Sequence, residues 1–202
     1  MGKDRVCTVS HDGKSSSGKA QLESDEILFR GDFRLKIPLS SLKSVAARDG
    51  KLHLKWSQGS AVFQLGAEAE RWAQRILHPK STREKLGIQP GLTISCVAMH
   101  DDEFANDLRK QAKSFSATKP LKDSDLIFFG ATSAAQLERV AKLTPSVAKA
   151  GAVWIVYPKG KQEIREIEVL SAGREAGLVD VKVVSFSATH TALKFMRPKS
   201  KR

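Results

Sequence analysis

Three groups of polar residues end or follow apolar runs in the second half of the chain. His100, Asp101 and Asp102 follow Leu92–Ala98, Gly130 and Thr132 follow Leu126–Phe129, and Tyr157, Lys159 and Lys161 end or follow Ala152–Tyr157. Such positions carry chemistry when the runs are parallel strands, because open α/β sheets bind ligands beyond the carboxyl ends of their strands. A lysine there can hold an anionic group. Lys159 is the leading candidate, since Pro158 fixes the backbone just before it. The competing reading makes Lys159 a solvated loop lysine or a partner of Asp101 or Asp102. His100 beside two carboxylates suggests a metal, but no second His or Cys stands at ligand spacing. Asp101 and Asp102 serve equally as the cap and first turn of a helix, so no metal site is expected. His190, between Thr189 and Thr191, reads as a turn residue. No serine has a visible His and Asp arrangement, so no catalytic residue is assigned.

One further run imitates a nucleotide site. Gly13-Lys14-Ser15-Ser16-Ser17-Gly18-Lys19-Ala20 nearly matches the phosphate-binding loop, whose last position is Ser or Thr. That loop needs a strand before it, a helix after it and a terminal hydroxyl for Mg²⁺. Ala20 offers no oxygen, and Gln21-Leu22-Glu23 reads as strand. A flexible hairpin loop is expected instead.

The elements that must position these groups fall into two halves. In residues 1–78 the apolar positions alternate: Ile27 and Phe29; Phe33, Leu35, Ile37 and Leu39; Leu52, Leu54 and Trp56; Ala61, Phe63 and Leu65. That is the period of half-buried strands. Asp49-Gly50 marks a hairpin, and Gln58-Gly59 marks a turn. The period then becomes helical at Ala69, Trp72, Ala73, Ile76 and Leu77, and His78-Pro79 stops the helix. A curled antiparallel sheet plugged by a helix that buries Trp72 resembles a pleckstrin-homology-like module. Such modules usually bind peptides, lipid headgroups or partner domains, and fold alone carries no activity.

Residues 79–85, opening on Pro79, read as a linker. In residues 86–198 buried runs alternate with helical spacings: Leu92–Ala98; Phe104, Leu108, Ala112 and Phe115; Leu126–Gly130; Leu137, Val140 and Ala141; Ala152–Tyr157; Ile164, Ile167 and Leu170; Val179–Phe186; and Thr191–Met196 as a returning edge strand. Continuous apolar strands with helical crossovers imply a mostly parallel, Rossmann-like sheet covered on both faces, with an antiparallel edge strand. Residues 199–202 form a basic tail.

Within this half, Lys85–Gly91, Asp125–Phe129, Trp154–Lys159 and Ala176–Lys182 together resemble a bacterial family known only as a domain of unknown function. Its members look like shortened class I methyltransferase folds. The resemblance covers about residues 82–198 and implies a fold and a bacterial, cytoplasmic setting, with no established reaction. Methyltransferases of that class grip S-adenosylmethionine (SAM) with a glycine-rich turn after the first strand and an acidic residue after the second. Here the first turn, Met99-His100-Asp101-Asp102-Glu103, has no glycine. The second segment, Ser114–Pro120, has no carboxylate. On this reading the SAM-binding motif is absent, SAM is possible but no cofactor is expected, and the same holds for NAD.

Composition sets the remaining bounds. Of a net charge of +12, residues 1–78 hold 13 basic and 9 acidic side chains and residues 79–202 hold 21 and 13. A spread positive charge permits loose contact with polyanions, and Lys194, Arg197, Lys199, Lys201 and Arg202 cluster at the end. No run of eighteen apolar residues exists, so no membrane span is expected. Met1–Val6 has no apolar core for a secretion signal, and Val6 breaks the myristoylation pattern. Cys7 and Cys96 are expected to be buried thiols in a reducing compartment. The combined expectation is a cytoplasmic, non-catalytic adaptor that captures a protein partner. The alternatives are a divergent methyltransferase-like enzyme, with substrate entering near Lys159, and a basic nucleic-acid binder.

Overall fold

Two Asp-Gly dipeptides set the first unit of the computed structural model, which describes residues 3–201. Asp12 and Gly13 have φ of 49° and 74°, and Asp49 and Gly50 have 51° and 72°. Positive φ at both central residues is what a two-residue hairpin turn of matching twist requires. The first turn joins β1 (Lys3–His11) to β2 (Lys14–Leu22). The run resembling a phosphate-binding loop is therefore mostly strand, and only its first residue, Gly13, belongs to the turn, with Asp12. After these come β3 (Glu26–Arg30), β4 (Arg34–Pro38), β5 (Leu42–Arg48), β6 (Lys51–Trp56) and β7 (Gly59–Gln64). All neighbouring strands are antiparallel in the order β4-β3-β2-β1-β7-β6-β5, curled as a half-barrel.

Alternation puts Val9, Ala20, Ile27, Phe29, Ile37, Leu52, Leu54 and Phe63 inside this curl. Helix α1 (Glu68–Leu77) adds Ala69, Trp72 and Ala73 to the same core, and Trp72 is fully buried. Its first turn buries Glu68, whose carboxylate meets Arg71 (2.7 Å) and Arg5 (3.5 Å). The helix entry is tied to the second hairpin, where the Leu65 and Gly66 N–H groups donate to Gly50 O.

The second compact unit runs from Ser81. The expected linker carries structure of its own: α2 (Thr82–Leu86) begins at a capping box in which Ser81 and Glu84 satisfy each other's backbone N–H groups. The chain continues through β8 (Thr93–Val97), α3 (Asp102–Gln111), β9 (Ser114–Ser116), β10 (Ser124–Gly130), α4 (Val140–Leu143), β11 (Val147–Pro158), α5 (Glu166–Glu175), β12 (Val179–Ser185) and β13 (His190–Met196). Two corrections to the helix readings follow. Phe115 lies in β9, beyond the end of α3. Ile167 is 61% exposed, and α5 turns Val169 and Gly173 inward.

The six strands order as β12-β13-β11-β10-β8-β9. Strands β9, β8, β10 and β11 are parallel, and β13 is antiparallel to both β11 and β12. The antiparallel strand expected at the edge thus lies inside the sheet, and β12 forms the edge. Burial explains this order, since Ala192, Leu193 and Phe195 of β13 are at most 1% exposed, whereas Val179, Val181 and Val183 of β12 are at least 40% exposed. One face packs Leu86, Phe104, Leu108 and Phe186 around Phe128 and Trp154. The other packs Leu137, Val140, Val169 and Leu178 around Phe129, Ile155 and Tyr157. Trp154 Nε1 donates to Leu86 O (3.0 Å), so the buried indole N–H also anchors α2.

The step from β9 to β10 has no helix. It is held by a buried serine pair: Ser95 and Ser124 hydroxyls lie 2.9 Å apart, Ser95 Oγ accepts from the Leu121 N–H (2.9 Å), and Ser124 Oγ donates to Leu121 O (2.7 Å). Among the described residues no helix is long and apolar enough to cross a membrane. Met1, Gly2 and the tail's Arg202 lie outside the described residues.

Candidate functional site

The carboxyl ends of β8, β10 and β11 carry the polar groups picked out by the sequence. After β8 the backbone turns through Ala98 at φ 52°. An L-residue in the left-handed region costs roughly 1–2 kcal/mol relative to glycine, so this corner has a glycine-type path without a glycine. Met99 is half-buried and His100 exposed. Asp101 then caps α3, its Oδ1 accepting from the Phe104 N–H (2.9 Å), and Asp102 and Glu103 occupy the first turn. The capping role weighed for Asp101 is the one the chain adopts.

Below this corner lies Cys96, one of two free, buried cysteines. Burial, and secondarily the Asp101 charge, push its thiol up to about 12. A thiol held that high stays protonated and inert near neutrality. Among the described residues no three His, Cys, Asp or Glu side chains gather at metal-binding distance.

At the end of β10, Gly130 faces the Ala98 carbonyl. A Cβ on Gly130 would collide with that oxygen, and with the Ala98 carbon at 3.0 Å. Gly130 therefore lets β10 pass the β8 corner closely. Thr132 is turned to its own chain: its N–H donates to Gln136 Oε1 (2.7 Å) and its hydroxyl approaches the same oxygen at 3.3 Å. The end of β9 offers the hydroxyl of Ser116, which accepts from the Lys119 N–H (3.4 Å), and no carboxylate.

Tyr157, Lys159 and Lys161 share a separate, shallow depression of about 300 Å³, lined also by Arg165, Glu166 and Thr191. The Tyr157 O–H donates to Glu166 Oε2 (3.2 Å). Burial first, then the Glu166 charge, push the phenol's titration well above its ordinary value. Lys159 Nζ donates to Ser185 Oγ (2.8 Å), Ser187 O (2.6 Å) and Ala188 O (3.4 Å), and its N–H donates to Thr189 O (2.9 Å). Its ammonium thus fastens the β12–β13 turn to the end of β11, and neither Asp101 nor Asp102 is its partner. His190 belongs to the same turn, its N–H donating to Ser187 Oγ (3.1 Å).

The basic cluster at the chain's end is also partly committed. Lys194 lies over the Trp154 ring (5.8 Å), and Arg197 donates to Thr144 O (2.8 Å) and Val147 O (3.1 Å). Sequence reasoning passed over Ala98, Gln136, Glu166 and Ser185. Ala98 left no signal, because alanine carries no mark of positive φ. The spaced hydroxyls Ser185, Ser187 and Thr189 were a legible sign of a polar turn.

The class of protein is set by this sheet: an α/β, Rossmann-like unit with its polar groups at the strand ends. No protein-family model matches the sequence, and no curated protein does. Among solved structures the chain is similar to a SAM-dependent methyltransferase from Aquifex aeolicus, at 18% identity over 62% of this chain and 93% of that one, with a TM-score of 0.48. It is also similar to a TehB-like SAM-dependent methyltransferase from Corynebacterium glutamicum (12%, 64% and 96%, 0.45). A third is the magnesium protoporphyrin IX methyltransferase from Synechocystis PCC 6803 with bound SAH (8%, 57% and 78%, 0.44). The activities are those proteins' own, and likenesses this distant leave the chemistry of the present chain to its own residues.

Two expectations are corrected against these findings: that the chain is a non-catalytic adaptor, and that it takes no cofactor. The three neighbours named are methyltransferases, two of them SAM-dependent by name and one holding SAH. Both expectations rested on the missing glycine after β8 and on the missing carboxylate in Ser114–Pro120; Ala98 takes the conformation that a glycine would have supplied, while the end of β9 still offers no acid.

Proposed function

We propose that the unit from Ser81 onward is a divergent methyltransferase-like domain that binds SAM at the carboxyl ends of β8 and β10. The observation that carries this reading is Ala98 at positive φ, packed against Gly130, at a strand–turn–helix corner whose helix is capped by Asp101. A corner of this shape brings backbone close to a ligand, as glycine does in dinucleotide-binding sheets. The donor set fits an adenosyl group in part. Backbone at Ala98–His100 and the Asp101 and Asp102 carboxylates are at hand, while Ser116 and Thr118 stand at the end of β9 without an acid. When bound, SAM supplies an electrophilic methyl group on a sulfonium.

In this reading His100, Asp101, Gly130 and Thr132 border the cofactor. Tyr157, Lys159 and Lys161 border the entry for the methyl acceptor, with Lys159 shaping the turn beside it. The first unit is read as a pleckstrin-homology-like module, supported by its strand order and by a single terminal helix packed into the core. Two free, buried thiols suit a reducing, cytoplasmic setting. Thermal denaturation of the full chain with SAM, SAH, ATP and NAD tests the proposal. A rise in Tm with SAM and SAH alone supports it, and no rise with either at millimolar concentration overturns it.

A further inference from the structure

The first unit gathers partly exposed aromatic rings at one end of its sheet, together with cations that have no carboxylate partner among the described residues. Strands β1, β3 and β6 run the same way, so the β1–β2, β3–β4 and β6–β7 turns share that end. His11 closes β1 and stacks on Trp56 at the end of β6, with ring centroids 5.5 Å apart and planes inclined by 25°. Phe33, in the β3–β4 turn, lies 6.2 Å from the His11 ring. Trp56 and Phe33 pack their inner sides on the core and leave part of their surface open.

Cations stand at the same end of the sheet, where alternation turns Phe29, Leu35 and Trp56 inward and Arg30, Arg34 and Lys55 to the outer face. Lys14 pairs with His11 across the first turn, Lys55 precedes Trp56, and Arg30 lies opposite Arg34 on one side and Lys19 on the other. Like charges directly opposite one another on a sheet are destabilising. Lys19 is relieved by Asp4 (2.6 Å), but among the described residues Arg30 and Arg34 have no carboxylate partner. The acids at this end are Asp12, whose Oδ2 lies 3.1 Å from His11 Nε2, and Asp32 in the β3–β4 turn.

Aromatic faces with a cationic rim suit bases that stack and phosphates that track alongside. We propose that this end of the first unit binds single-stranded nucleic acid, with Trp56, His11 and Phe33 as the stacking shelf and Arg30, Arg34, Lys14 and Lys55 as the phosphate rim. A duplex keeps its base faces covered, and an anionic membrane surface would engage the cations without using the rings. The proposal is independent of the methyltransferase reading.

The chain reports on its own binding. It has three tryptophans, and Trp72 and Trp154 are fully buried, so a quench of emission on adding nucleic acid reports Trp56. The full chain is titrated with a 15-nucleotide oligo(dT), an oligo(U), a duplex of equal length and phosphatidylserine vesicles. The expected result is quenching by the single strands, with the duplex at least tenfold weaker. Trp56→Phe should abolish the quench and weaken binding, read by anisotropy, about tenfold. Arg30→Gln with Arg34→Gln, both exposed positions, should weaken binding at least tenfold and lower the slope of log affinity against log salt by about 1.4. Equal binding of duplex, unchanged affinity in either variant, or a response to vesicles without one to oligonucleotides would overturn the proposal.

Discussion

The carbonyl oxygen of Ala98 occupies the place that a Cβ on Gly130 would need. Two strand ends are thereby locked backbone against backbone at the mouth of the proposed site. Gly130→Ala should cost about 1–3 kcal/mol through overpacking and should weaken SAH binding, because the β8 corner must shift. Chemical denaturation with and without SAH reads both effects. An unchanged midpoint would mean that the corner yields freely.

Ala98 carries strain that glycine would relieve. Ala98→Gly is expected to stabilise the unit by about 1 kcal/mol and to leave SAH binding equal or tighter. Ala98→Val, β-branched at positive φ, should destabilise by about 2 kcal/mol. If Gly were the less stable variant, the corner would not hold the left-handed conformation in solution.

Lys159 is expected to matter more for local order than for charge. Lys159→Met removes the donor for three oxygens while keeping the aliphatic stem. The loss should be about 1 kcal/mol, discounted for exposure, with faster amide exchange confined to residues 186–190. Uniform exchange across the sheet would contradict a role limited to that turn.

The Cys96 thiol sets a pH window. Its folded value, about 12, lies above an ordinary 9.0. The folded state therefore holds its proton where the unfolded state has released it. This contribution is fully present below pH 9 and is lost as pH rises toward 12. Tyr157, raised by burial and Glu166, acts in the same direction. Cys96 should resist alkylation in the native chain at pH 8 and react at once in denaturant. Rapid native alkylation would show the strand end to be open.

The legible parts of the fold were those written in local chemistry. Asp49-Gly50, the alternation at Leu52, Leu54 and Trp56, and the helical spacing around Trp72 each appear as read. Asp12-Gly13 has the same turn chemistry as Asp49-Gly50 and went unread because the following Gly13–Ala20 run imitates another motif. Phe115 was assigned to α3 because a helix and a following short strand can share one apolar spacing. The inward place of β13 depends on which neighbour its backbone pairs with, which periodicity does not encode. The same holds at the site. Asp101 was legible as a cap because its partner stands three residues on, while the partners of Lys159 lie 26 to 29 residues away.

Isothermal titration of the full chain with SAH tests the central claim most directly, beside Ala98→Val as a control. The account predicts one site of micromolar affinity, weakened at least tenfold in the variant. No heat of binding up to millimolar SAH, or equal binding by both proteins, would contradict it.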